Sequence, residues 1–219
     1  DLVLTTPIFR ELKRFYPDAE ITLLTSSGLG SVLDNNPQID HVIMHSRKET
    51  RMQLKFLIQN LRKEKYDLIY DAHRSLRSIW IVWNLSGFGI LKKPEVWSIN
   101  KRSWQRSLLI RLKLNLLKKT DPQRLHLLRP LQTHTNLELH NQTELFPDKS
   151  AILRTQEFLK KHNLQPKQFV AIGPSASYPL KCWPLEYFQV LISNLLEQSW
   201  HVVLVGAAEE KETTQLEEE

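Results

Sequence analysis

Hydrophobic residues along this chain keep changing period, from helix-like spacing to short continuous apolar runs and back. Such alternation suits βαβ units and a parallel sheet, because each period fits only one kind of element. Thr6-Pro7 reads as a helix start, with Thr6 as N-cap and Pro7 at the first helical position. Ile8, Leu12 and Phe15 recur at helical spacing until Tyr16-Pro17 stops them. Ile21–Thr25 and His41–Met44 have strand length, with a short helix at Leu29–Leu33 between them, ended near Asn35-Asn36-Pro37. Leu54, Leu57, Ile58 and Leu61 form a helical stripe; Asp67–Asp71 follows as a strand and Leu76–Leu85 as a Trp-rich buried helix. Residues 120–150, with three prolines and little periodicity, read as a connector. The alternation resumes with a helix from Ser150 to His162, a strand at Phe169–Gly173, a helix at Pro184–Gln198 and a strand at His201–Gly206. This divides the chain into a domain at 1–150 and the opening of a second α/β domain at 151–219. Two strands are few for a sheet of its own, so the expectation is a chain incomplete at both ends.

A hydrophobic content of 41% is enough for a packed core. The single cysteine, Cys182, can form no internal disulfide, which suits a reducing compartment. The apolar run at Ile79–Leu85 is far short of the ~20 residues of a membrane span. The expectation is a soluble, cytoplasmic protein. The six glycines form no phosphate-binding GxxxxGK[ST] loop, and GLG at 28–30 and GFG at 87–89 lack the third glycine of a dinucleotide fingerprint. Charge is concentrated: residues 92–129 hold eleven Lys/Arg and two acids, whereas 209–219 hold six Glu and one Lys. The basic stretch points to an anionic partner, whether nucleic acid, phosphorylated substrate or membrane surface.

Several residues have chemistry available to them. Asp1 precedes a helix entry, where a carboxylate serves as a proton acceptor or as a simple cap. In Gly173–Pro184 a strand runs into serines, Ser177 among them, then Lys181 and a Trp183-Pro184 helix start. With Pro184 at the first helical position, free N–H groups, hydroxyls and one ammonium suit a diphosphate; a solvated lysine is the plainer alternative. Glu209 and Glu210 follow the strand ending VLVG, either capping a helix or accepting from ribose hydroxyls. Arg74 and Arg77, three apart on one helix face after DLIYD, suit an anionic ligand; the alternative is a helix capped by Asp71 or Ser75. The eight histidines have no metal-site spacing and Cys182 has no nearby base, so neither metal nor thiol chemistry is supported. Residues 103–119 place Trp104, Leu108, Leu109, Leu112 and Leu116 on one face among Arg106, Arg111, Lys113 and Lys118. That face either rests on an anionic membrane or packs on its own domain.

Four stretches in order carry a resemblance: DLVLTTPIFRELKRFYPDAEITLLTSSGLGSVLDNNPQIDHVI, YDLIYDAHRSLRS, GPSASYPLKCWPLEYF and VVLVGAAEE. Together they resemble the ADP-heptose:lipopolysaccharide heptosyltransferases, glycosyltransferase family 9, over nearly the whole chain except 92–150. The family's Gly before the aspartate and its D-[ST]-G-x-x-H loop have no counterpart here. The resemblance implies a GT-B fold of two Rossmann-like domains, with acceptor bound by 1–150 and nucleotide sugar by 151–219. It implies an inverting, metal-independent transfer with no cofactor, Asp1 as catalytic carboxylate, and Ser177, Lys181 and Glu210 as donor-binding residues. Arg77, with Arg74 beside it, falls where the family places a basic residue toward the acceptor. The implied partners are ADP-heptose and an anionic lipid-linked saccharide, with peripheral inner-membrane contact through 101–119 and no nucleic acid. Two alternatives stand beside it: a non-catalytic nucleotide-sugar or glycan-binding relative, and a basic nucleic-acid-binding protein.

Overall fold

The computed structural model describes residues 2–28, 32–46, 48–87, 93–101, 103–116, 122–135, 138–176 and 178–206. The chain divides into two units, Asp1–Pro147 and Asp148–Glu219. Among the described residues the first contains two parallel strand pairs and the second one, each with helices, the α/β class expected from the alternating periods. Among the described residues no helix is long and apolar enough to cross a membrane.

In the first unit a 3₁₀ turn at Val3–Thr5 leads into α1, Thr6–Phe15. The N-cap is Thr5, not Thr6, and neither hydroxyl caps the helix: they donate backwards to the carbonyls of Leu2 (2.6 Å) and Val3 (2.9 Å). The preceding turn already occupies helical φ/ψ and moves the boundary back one residue. Strands β1 (Thr22–Ser26) and β2 (His41–His45) pair in parallel, Thr22 facing His41. Asp40 fastens this pair to α1, its Oδ2 accepting from the Ile21 amide (2.7 Å) and the Lys13 ammonium (2.8 Å). Of the short helix expected at Leu29–Leu33, residues 29–31 lie outside the described residues.

Helix α2 (Arg51–Lys63) begins with a capping box between Thr50 and Gln53, and α3 (Leu76–Ser86) with one between Ser75 and Ser78. Their facing sides bury Ile58, Leu61, Ile81 and Leu85 in one cluster that also receives Leu24, Ile43 and Ile69 from three strands. Only this side of α3 is buried. The Trp-rich helix expected to be enclosed leaves Trp80 and Trp83 exposed, because they sit on the turn of the helix away from Ile81 and Leu85. Gly87 ends α3 where a Cβ would come within 2.3 Å of the Trp83 carbonyl oxygen.

The basic stretch and the expected connector hold the largest departures. Strand β4 (Glu95–Ser98), unforeseen, pairs in parallel with β3 (Leu68–Asp71), completing a β3-α3-β4 unit. Helix α4 runs over Ser103–Leu112 only; Lys113, at φ 53°, turns the chain left-handed and ends it. Leu116 therefore does not extend a helical face, and Leu112, Leu114 and Leu116 are exposed. Residues 120–150 are no mere connector, since they contain α5 (Gln123–Thr135), which buries Leu127, Leu128, Pro130 and Leu131. Leu127, Leu128 and Leu131 pack against Ile8, Leu12, Trp97 and Ile99 as the main core. Pro130 inside α5 removes one helical hydrogen bond, which burial of the leucines offsets. The Tyr70 hydroxyl donates to the Leu127 carbonyl at 2.5 Å, and burial raises the pKa of this phenol above its ordinary value.

After α5, residues 138–147 are strapped back onto α1. Arg10 donates to the carbonyls of His140 (2.8 Å) and Gln142 (3.0 Å), and the Glu144 amide donates to Thr6 Oγ1 (3.0 Å). Beneath the strap Glu11, fully buried, lies 3.1 Å from Arg14, 3.5 Å from Arg10 and 3.6 Å from His140 Nδ1. A carboxylate so enclosed needs these partners to offset its lost hydration.

The second unit comprises α6 (Lys149–Lys161), capped by Asp148, then β5 (Phe169–Ile172), α7 (Leu185–Glu197) and β6 (His201–Leu204). Strands β5 and β6 pair in parallel, Phe169 facing His201.

Leu131→Ala is expected to lower unfolding stability by about 2–5 kcal/mol in urea denaturation, against about 0.5 kcal/mol or less for the exposed Leu112→Ala. The hydrogen bond from Ile21 and the Lys13 partner hold the Asp40 carboxyl below its ordinary pKa. Its contribution is therefore present above the ordinary carboxylate range and lost as pH falls through it. Asp40→Asn should destabilise at neutral pH, with the difference closing toward acid in pH-dependent denaturation.

Candidate functional site

The carboxyl end of β3 is organised by Asp71, a nearly buried carboxylate. Its Oδ1 accepts from the amides of His73 (3.0 Å) and Arg74 (2.7 Å), and its Oδ2 from the Ser78 hydroxyl (3.0 Å). Those bonds hold Arg74 at φ 45°, a left-handed conformation that costs a non-glycine residue about 1–2 kcal/mol and persists only when its surroundings fix it. They also bind the first turn of α3 to the strand. Ser75 is the helix cap and Asp71 the anchor beneath it.

This geometry separates the two arginines expected on one helix face. Arg74 precedes the helix, and its Nη1 donates to the Ile99 carbonyl just beyond β4 (3.0 Å). Arg77 lies in the first turn of α3 and donates to the Ser46 carbonyl beyond β2 (3.1 Å), 3.4 Å from His45 Nδ1. The chain turns left-handed at Arg74, so sequence spacing no longer translates into a shared face.

Arg74 borders a groove of about 510 Å³ between β4 and α5. Ser98 and Asn100 line it from the strand side, and His126, Arg129 and His134 from α5. Its floor is Trp97, buried and stacked on His134 with centroids 4.4 Å apart and planes 12° apart. Glu95 Oε1 accepts from Trp97 Nε1 (2.7 Å) and lies 3.3 Å from His134 Nδ1, fixing both rings. Two guanidinium groups, two imidazoles and an amide around a half-open groove suit a carboxylate or phosphate ligand. Sequence reasoning missed Asn100, His126, Arg129 and His134. The local excess of Lys/Arg over 92–129 was the only signal, and it did not show which side chains converge.

In the second unit Lys181 ends a 3₁₀ turn, Pro179–Lys181, its amide donating to the Tyr178 carbonyl (2.9 Å). The side chain is exposed, with no ion pair among the described residues. Pro184 is the N-cap of α7 at ψ 139°, not its first helical residue. Trp183 packs edge-on against Phe188 at 4.9 Å, a hydrophobic staple fixing the angle at which the chain enters the helix. Pro184 provides no side-chain cap for α7, and in its first turn the Tyr187 amide donates to the Pro184 carbonyl (3.1 Å). Asp1, Ser177 and Glu210 lie outside the described residues. Among the described residues no group of three or more His, Cys, Asp or Glu is arranged to hold a metal ion.

Parallel strand pairs with arginines near their carboxyl ends, separated by helices, define an open α/β protein, a class in which ligands gather at that end of the strands. Residues 55–219 match the model of glycosyltransferase family 9 (heptosyltransferase), and the chain belongs to that family. The match contains Arg74, Arg77, Ser177, Lys181 and Glu210, and begins after Asp1. Lipopolysaccharide heptosyltransferase 3 of Escherichia coli is 27% identical over 216 residues, covering 94% of this chain and 60% of the relative. Its counterpart in E. coli strain K12 is 24% identical, covering 93% and 59%. The chain thus spans about 60% of the length of these curated relatives. Among solved structures, the family 9 glycosyl transferase of Veillonella parvula DSM 2008 superposes with a TM-score of 0.76 at 20% identity, over 99% of this chain and 62% of that one. E. coli ADP-heptose lps heptosyltransferase II gives 0.66 at 19%, over 99% and 64%. E. coli heptosyltransferase WaaC with ADP-2-deoxy-2-fluoro heptose gives 0.64 at 17%, over 99% and 69%. The fold is accordingly the GT-B-like α/β fold.

Removing the Asp71 carboxylate strips three hydrogen bonds from a buried site. Asp71→Ala is expected to cost at least about 2 kcal/mol in chemical denaturation, whereas Ser75→Ala, which removes only a cap, costs about 1 kcal/mol.

Proposed function

We propose that this protein is an inverting, metal-independent glycosyltransferase moving heptose from ADP-heptose to an anionic, lipid-linked lipopolysaccharide core. The observation that carries this is the family match over 55–219, which contains both the Arg74–Arg77 region and the Lys181 loop. The names of the heptosyltransferase 3 relatives and the ADP-sugar in the WaaC structure support the same donor and acceptor.

In this reading residues 1–150 bind acceptor and 151–219 bind donor. Asp1 accepts the proton of the acceptor hydroxyl as that oxygen attacks the anomeric carbon. The bond from that carbon to the diphosphate oxygen breaks with inversion, and ADP leaves with the electron pair. Lys181 and the first-turn amides of α7 offset the charge developing on ADP, the usual role of positioned cations and N–H groups. Ser177 assists at the diphosphate, and Glu210 accepts from the ribose hydroxyls. Arg74, Arg77 and the groove beside β4 hold acidic groups of the acceptor, with Asp71 keeping the two arginines in place. No cofactor is required, and nucleic acid is not the partner. The protein works in the cytoplasm at the inner-membrane surface. Exposed Ile110, Leu112 and Leu114, beside Arg111 and Lys113, support membrane contact through 101–119.

The test is a thermal-shift and turnover comparison with ADP-, UDP- and GDP-sugars. ADP-heptose is expected to stabilise the wild type, Lys181→Ala to abolish that shift, and Asp1→Asn to retain it while losing turnover by about 100-fold or more. No stabilisation by any ADP-sugar would overturn the reading. Stabilisation without turnover by the wild type would instead identify a binding relative.

A further inference from the structure

We infer that Glu95 and His134 make the groove between β4 and α5 a proton-dependent oxyanion site, in which protonated His134 adds a donor to the fixed charges of Arg74 and Arg129. This deepens the reading of the groove as the acceptor side and rests on it for its place in the reaction; the groove's own chemistry is measurable apart from transfer. On α5, His126, Pro130 and His134 recur every four residues and line the groove, while Leu127, Leu128 and Leu131 turn into the core. His134 is held from two directions. Its ring lies flat on Trp97, with centroids 4.4 Å apart and planes 12° apart, and its Nδ1 is 3.3 Å from Glu95 Oε1. The same oxygen accepts from Nε1 of the buried Trp97 (2.7 Å), so the carboxylate is itself fixed. A carboxylate accepts and cannot donate, so at that distance the proton of the neutral imidazole belongs on Nδ1. Nε2, on the other edge of the ring, then carries the lone pair. His134 lines the groove and Glu95 does not, which turns the Nε2 edge to the groove.

A lone pair there repels an oxyanion, whereas a proton on Nε2 supplies it with a charged donor. Among the described residues the charged or titratable groups around His134 are Glu95 on β4, Arg74 before α3, and Arg129 and His126 on its own helix. No Asp or Glu is among the residues lining the groove, so an entering oxyanion meets no like charge from its walls. An imidazolium at 134, in the last turn of α5, is offset by Glu95 and by the carbonyl end of the helix, and is opposed by the two arginines. An oxyanion between them cancels that opposition. Binding of the anion and of the proton therefore favour each other. The groove tightens on its ligand as pH falls through roughly 8 to 5, the range in which imidazoles gain charge, and loosens as pH rises.

The experiment is calorimetric titration of the purified protein, without donor, with sulfate and with glucuronate at about pH 6 and about pH 8. Both probes keep their charge over this range, so a change of affinity belongs to the protein. Sulfate stands for a phosphate group and glucuronate for a sugar carboxylate; either supports the inference by binding with the expected pH dependence, and the tighter one identifies the acidic group. The wild type is expected to bind about fivefold or more tightly at the lower pH. His134→Gln should bind equally at both, close to the wild type at the higher pH, whereas His126→Gln should keep the difference. Nitrogen-15 spectra of the imidazoles test the positioning role of Glu95. Neutral His134 is expected to carry its proton on Nδ1 in the wild type. Glu95→Gln, whose amide can turn its NH₂ to that nitrogen, should yield a mixture of tautomers and a smaller pH dependence. If Glu95→Gln alters the circular dichroism, His134→Gln decides. The inference is overturned if neither probe binds, if the pH dependence persists in His134→Gln or vanishes in His126→Gln, or if neutral wild-type His134 is protonated on Nε2. None of these results alters the ADP-sugar thermal shift that tests transfer itself.

Discussion

A single buried carboxylate at the end of β3 governs the geometry at the carboxyl end of the first unit's strands. Asp71 gathers two backbone amides and one hydroxyl, and holds the chain left-handed at Arg74 before α3 begins. A strand end left to itself would expose those amides to water and let the loop sample many conformations. Fixed by Asp71, the loop sends one guanidinium toward β4 and the next toward β2. The arginines thereby cover the carboxyl ends of two strand pairs, where α/β folds collect ligands.

The rigidity behind this arrangement comes from α5. Its leucines seal the space between α1 and β4, and its polar side supplies His126, Arg129 and His134 to the groove. The Trp97–His134–Glu95 contact joins the two roles, with the indole serving at once as core and as groove floor. On α1, the buried Glu11, with Arg10, Arg14 and His140 around it, underlies the strap at 138–147. In the proposed transfer, the loop before α3, the end of β4 and the polar side of α5 present the acceptor-side groups, while the 3₁₀ turn before α7 presents the donor-side cation.

Much of this was legible in the residues. Strands β1, β2, β3, β5 and β6 follow from continuous apolar runs, and α2, α6 and α7 from apolar stripes with clear stops, because local period and capping chemistry dominate there. Strand β4 was not legible. Its EVWS run is short, lies in a charged stretch, and becomes a strand by pairing with β3. Helix α5 was hidden by Pro130 and by interspersed His, Gln and Thr, although Leu127 and Leu131 have helical spacing. The groove was illegible for the same reason, since three of its charged or imidazole residues depend on α5 being a helix and on its orientation. Pro184, expected as the first helical residue of α7, took the cap position because the Trp183–Phe188 staple sets where the helix starts.

The amino-acid sequence alone determined the α/β class, the parallel pairing of its alternating units and the family, because hydrophobic period and short ordered motifs are properties of neighbouring residues. Tertiary structure alone decided which cations converge, that Arg74 and Arg77 part, and that the tryptophans of α3 face outward. Those outcomes depend on contacts between residues far apart in the chain, and no local pattern encodes the direction in which a packed helix turns its remaining face.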